Sequence, residues 1–120
     1  MKNILIVDDN KDIVGLFKKI LESGGFTCEA AEGGKSGLEL LRSKTFDLVL
    51  LDLAMPDMSG VEVLEAIKKD PNLSKHKILV ITASSPSNAE TERIKRDYQI
   101  LDVIKKPISK TNLIQLIKSY

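Results

Sequence analysis

Residues 47–60 read Asp-Leu-Val-Leu-Leu-Asp-Leu-Ala-Met-Pro-Asp-Met-Ser-Gly. Leu48 to Leu51 are apolar without any polar alternation, which suits a strand covered on both faces, as in a parallel sheet. The run ends abruptly at Asp52. Pro56, Asp57 and Gly60 then supply turn chemistry, and Ser59 with Glu62 has the spacing of a capping box. Behind it Val63, Leu64 and Ile67 form an apolar stripe at helical spacing. The stretch is therefore one strand, one polar turn and one helix.

The same unit recurs on both sides. Apolar runs at Ile4–Val7, Thr27–Ala31, Asp47–Leu51, Ile78–Ile81 and Leu101–Ile104 alternate with segments of helical character. Ile13, Leu16, Phe17, Ile20 and Leu21 give one helical stripe, and Leu113, Leu116, Ile117 and Tyr120 give another. Gly24-Gly25 suits a left-handed cap after the first helix, while Ser87 and Glu90 fit a helix start. The segment 88–98 is the weakest, with only Ala89, Ile94 and Tyr98 to bury. Strict alternation predicts an α/β fold: one doubly wound, five-stranded parallel sheet with right-handed crossovers and five helices. The flavodoxin-like order 2-1-3-4-5 leads.

The 120 residues suit one domain spanning 1–120, with no linker, repeat or low-complexity stretch. A net charge of +1, with Lys and Arg scattered, argues against nucleic acid or an anionic membrane as a direct partner. Asp8 and Asp9 cut the first apolar run far short of a signal peptide, and no run is long enough to span a bilayer. Cys28 is the sole cysteine, which excludes an internal disulfide and a thiolate metal site. It reads as a small strand residue in a reducing, cytoplasmic protein. His76, in the polar loop 72–77, reads as solvent-facing.

In open parallel sheets ligands bind beyond the carboxyl ends of the strands. Asp8 and Asp9 follow the first strand, Asp52 the third, Thr82 the fourth, and Lys105, Lys106 and Pro107 the fifth. The predicted order makes strands 1 and 3 neighbours, so three carboxylates converge on one crevice. Like charges that close repel unless a cation joins them. The oxygen-only donors point to Mg²⁺, which takes one or two carboxylates with water and phosphate oxygen. The set suits phosphoryl transfer to Asp52 as nucleophile, with Lys106 offsetting charge and the Thr82 hydroxyl bonding a phosphoryl oxygen. An acidic pair after a strand is more commonly a helix cap, and Asp9 or Asn10 can serve as one. Asp57 reads as a turn residue rather than a ligand.

Val7-Asp8-Asp9, Asp52 to Gly60, Thr82-Ala83 and Lys106-Pro107, each placed just after a strand, resemble the receiver domain of bacterial response regulators over essentially residues 4–119. The resemblance implies a two-component switch rather than an enzyme: a phosphoacceptor that assists its own phosphorylation and dephosphorylation. Asp52 would accept phosphate from a sensor histidine kinase or phosphotransfer protein. Asp9, Asp52 and the backbone carbonyl of Ala54 would ligate Mg²⁺, with Asp8 acting largely through water. Lys106 would contact the phosphoryl group, and its bond to Pro107 would be cis. Thr82 would report it to the face of the fourth helix, fifth strand and fifth helix, where an output domain, output protein or second copy docks. Two positions depart from the family: Val103 stands where it has an aromatic, and 96–101 lacks its glycine turn.

Three rivals remain in view. An aspartyl phosphatase of the haloacid dehalogenase type needs an acid two residues beyond its nucleophile, where this chain has Ala54. An FMN binder needs phosphate-cradling amides in the first loop, where Asp8 and Asp9 would repel the anion. A degenerate receiver, acting as a phosphorylation-independent interaction module, draws its support from Val103.

Overall fold

The computed structural model describes residues 2–83, 87–106 and 108–120. In chain order the elements are β1 (Asn3–Val7), α1 (Lys11–Ser23), β2 (Thr27–Ala31), α2 (Gly34–Ser43), β3 (Leu48–Leu51), α3 (Gly60–Lys69), β4 (Ile78–Thr82), α4 (Asn88–Tyr98), β5 (Asp102–Lys105) and α5 (Lys110–Lys118). All strand pairings are parallel, in the order β2-β1-β3-β4-β5. The predicted architecture and strand order are those observed.

Alternation along the strands divides the core into two layers. Leu5, Val7, Val49, Leu51 and Val80 meet α2, α3 and α4 on one face. Ile4, Ile6, Leu48, Leu50, Leu79 and Ile81 meet α1 and α5 on the other. Continuous apolar strands are what a sheet covered on both sides requires.

Helix termini follow their sequence signals. Asn10 caps α1 by accepting from the N–H groups of Asp12 and Ile13, Gly25 takes φ +92° after α1, and Ser59 and Glu62 close a complete capping box on α3. Ser87 accepts from the Glu90 N–H at the start of α4. The turn after α4 is made without glycine: Gln99 sits in the left-handed region at φ 53°, ψ 39°.

Four readings need correction. Leu16 is 53% exposed, and Val14 takes its place in the buried arc with Phe17, Ile20 and Leu21. In α4 Ala89 is exposed and only Ile94 is buried; Tyr98 is half-buried, its hydroxyl donating to Glu65 Oε1 at 2.7 Å. β5 is displaced by one residue and starts at Asp102. His76 is buried rather than solvent-facing: the loop folds back over Leu73, whose carbonyl accepts from the His76 Nδ1–H at 2.9 Å. A carbonyl can only accept, so that contact places a proton on Nδ1.

Candidate functional site: an acidic crevice at the carboxyl edge of the sheet

The site forms where β1, β3, β4 and β5 end. Hydrogen bonds fix the ends of the neighbouring strands: the Asp8 N–H donates to Ala31 O at 3.1 Å, and the Asp52 N–H to Val7 O at 3.0 Å. Thr82 pairs with Lys105 across the β4–β5 ladder, and the Lys106 N–H donates to Thr82 O at 2.9 Å. These bonds bring together side chains that the sequence scatters over the whole chain.

Asp8 and Asp52 are buried, Asp9 is exposed, and Thr82 is fully buried. One carboxylate oxygen from each of Asp8, Asp9 and Asp52 lies within 4.8 Å of the others. Lys106 Nζ reaches Asp8 Oδ2 at 2.5 Å and Asp52 Oδ2 at 3.9 Å, with its side chain only 11% exposed. Asp8 Oδ1 accepts from the Asn10 N–H at 3.0 Å, so Asp8 is engaged through both oxygens. Asp52 Oδ1 accepts a longer bond from the Ala54 N–H at 3.4 Å. Asp52 thus carries the less encumbered of the two buried carboxylates.

Three carboxylates against one ammonium leave the crevice net negative. Mg²⁺ holds oxygens at about 2.0–2.1 Å, so ligands on opposite sides of one ion lie about 4.2 Å apart. The cluster lies within 4.8 Å, close to that spacing, and its donors are all hard oxygens. The residues fit a magnesium ion.

The loop between β3 and α3 frames the crevice. The Gly60 N–H donates to Leu53 O at 2.8 Å, and a Cβ at Gly60 would stand 2.5 Å from Asp52 O and 2.6 Å from Leu53 Cα. Only glycine lets α3 begin so close to the Asp52 backbone. Pro107 lies outside the described residues, and with it the isomer of its peptide bond.

The sequence reading missed what Asp57 does. It is an exposed turn residue, yet its carboxylate accepts from the Gly34 and Lys35 N–H groups, each at 3.3 Å, at the first turn of α2. The available signal was Gly33, an N-cap without a side chain, which leaves that helix to be capped from elsewhere.

Residues 4–118 match the response regulator receiver domain family. The polar-differentiation response regulator DivK of Brucella anthropi is 35% identical, the match covering 99% of this chain and 95% of DivK. Among solved structures, the N-terminal domain of a response regulator receiver protein from Methanoculleus marisnigri is 37% identical with a TM-score of 0.83, covering 99% of this chain and 95% of that one. Response regulator protein TrrA from Thermotoga maritima, solved in complex with Mg(2+)-BeF, is 32% identical with a TM-score of 0.83, covering 99% of this chain and 98% of that one.

Proposed function

The chain belongs to the response regulator receiver domain family, and on that footing we propose that Asp52 is its phosphoacceptor, charged from a histidine kinase or phosphotransfer protein. The observation that carries this reading is the placement of Asp52: nearly buried, clustered with Asp8 and Asp9, and 3.9 Å from the Lys106 ammonium. In the transfer, a carboxylate oxygen of Asp52 forms a bond to phosphorus as the donor's phosphorus–nitrogen bond breaks. The histidine leaves with the electron pair and takes up a proton. The product is an acyl phosphate.

Asp9, Asp52 and the Ala54 carbonyl would hold Mg²⁺, with Asp8 supporting, and the ion when bound offsets charge on the phosphoryl oxygens. Lys106 neutralises Asp8 at rest and has Asp52 within reach, so a short swing carries its ammonium to a phosphoryl oxygen. Thr82, buried at the end of β4 beside Lys106, would turn its hydroxyl toward the same group. Its movement would pass to α4, whose buried surface is little more than Ile94. With Val103 half-buried against that layer in place of a ring, the adjustment would fall on α4. That face is then the docking site for an output protein or a second copy. Among the described residues no helix is long and apolar enough to cross a membrane, and we place the switch in the cytoplasm.

The test is incubation with a small-molecule phosphodonor and Mg²⁺, followed by intact mass. Wild type gains one phosphoryl group, labile to hydroxylamine, and Asp52→Asn gains none. Undiminished labelling of the variant would sink the assignment.

A further inference from the structure

Asp57 sits in the loop that leaves Asp52, five residues beyond it, but its hydrogen bonds go to a different helix. The first turn of α2 offers unsatisfied N–H groups that local residues do not cap, since Gly33 has no side chain to do so. Asp57 fills that role from the β3–α3 loop. The fit is close on both sides. A Cβ on Gly33 would lie 2.8 Å from each Asp57 carboxylate oxygen, and one on Gly34 would lie 2.8 Å from both Met58 Cβ and Val63 Cγ2. The glycine pair lets the β3–α3 loop lie directly against the end of α2. The Lys35 amide above all, with that of Gly34, holds the Asp57 carboxyl below the usual carboxylate range, so the cap is ionised at neutral pH.

Elsewhere the loop is held by the Asp52 N–H on Val7 O, by the Ala54 N–H on Asp52 Oδ1, by Met55, which is buried in the core, and by the Gly60 N–H on Leu53 O. The Ala54 carbonyl belongs to the ligand set proposed above. We propose that Asp57 is a positioning residue of the metal site: by capping α2 at long range, it fixes the β3–α3 loop in the conformation that presents the Ala54 carbonyl beside Asp9 and Asp52. This rests on the proposed magnesium site. It adds that α2, which contributes no ligand, sets the affinity of that site.

Two explanations for an effect at Asp57 must be separated. If its charge acts through space on the cation, Asp57→Asn and Asp57→Ala weaken Mg²⁺ equally. If its hydrogen bonds hold the loop, Asn retains an acceptor of similar reach and good capping ability, and Ala does not. Groups that orient metal ligands typically affect affinity by about 10–100-fold. Titrating Mg²⁺ into each protein while following backbone amide resonances should raise the dissociation constant about tenfold in Asp57→Ala and less than about twofold in Asp57→Asn. Gly33→Ala, which pushes the carboxylate away without removing it, should reproduce the loss. The Gly33→Ala/Asp57→Ala double variant should be no worse than either single variant, because both break the same contact. Equal losses in Asn and Ala overturn the proposal in favour of plain charge. Unaltered affinity in Asp57→Ala, with faster hydrogen exchange in the first turn of α2, overturns it in favour of a purely structural cap. Additive losses in the double variant also overturn it. Absence of Mg²⁺ binding in wild type would instead refute the parent reading of the site, and this one with it.

Discussion

A single methyl group at Gly60 tests how closely the acceptor loop is packed. The Cβ of Gly60→Ala would stand 2.5 Å from Asp52 O and 2.6 Å from Leu53 Cα, against an ordinary contact of 3.4–4 Å, an overlap near 0.9 Å. Both obstructing atoms are backbone, so no flexible side-chain tip can yield. Overpacking of this kind costs about 1–3 kcal/mol. Alanine's better helix propensity returns at most about 1 kcal/mol, and less at a first turn than in a helix interior. The expected net loss is about 1–2 kcal/mol, or roughly 4–8 °C in melting temperature for a domain of this size. The functional loss should be larger. The strain falls on the backbone of Asp52 itself, and a 1 Å misplacement of reacting groups can cost about a hundredfold in rate. Gly15→Ala is the matched control, since it lies exposed in the middle of α1 with nothing within 4 Å of its Cβ. It should stabilise by about 0.5–1 kcal/mol and leave phosphorylation untouched. Urea denaturation and the rate of mass gain from a phosphodonor give both readouts. The reasoning is refuted if the two variants shift stability in the same direction, or if Gly60→Ala is phosphorylated at the wild-type rate.

Lys106→Met removes the counter-charge from a nearly buried carboxylate pair and should destabilise the magnesium-free protein by about 3 kcal/mol. Millimolar Mg²⁺ should restore more stability to this variant than it adds to wild type, and equal gains in thermal melts would contradict the charge balance drawn here. Burial pushes the Cys28 thiol up to about 11, with Glu22 adding to the rise and Lys18 opposing it. Because the folded state then holds the proton more tightly, this contribution is present in full below the ordinary value of 9.0 and is lost as pH climbs through 11. Wild type should lose more urea stability over that window than Cys28→Ala, and parallel curves would count against the buried thiol.

The sheet was legible because β1, β3 and β4 are apolar on both faces, a pattern few other environments produce. The site was legible for a related reason: charged residues directly after such strands have one crevice to enter. Periodicity failed at the margins. Leu16 belongs to an apolar stripe, but at about 100° per residue it lies roughly 115° from the centre of the arc defined by Val14, Phe17, Ile20 and Leu21. His76 stands in a polar stretch, and its burial depends on a turn around Leu73 that pattern alone does not reveal. Asp57 was assigned to its turn correctly, while its bonds to α2 depend on tertiary contact with a segment 22 and 23 residues away. Such contacts leave only an indirect mark, here a helix that begins on glycines.

The ion pair between Asp8 and Lys106 joins residues 98 positions apart. The acidic residues follow the first and third strands, and their counter-charge comes from the loop after the fifth. At a synthesis rate of about 5–20 residues per second, Lys106 follows Asp52 by about 3–11 s. Throughout that interval the nascent sheet carries an uncompensated cluster of negative charge at the edge where β4 and β5 must add. Docking of β5 brings in Lys106, which offsets part of that charge. Under the proposed function, uptake of phosphate would wait for that step, because Lys106 is the group that would meet a phosphoryl oxygen.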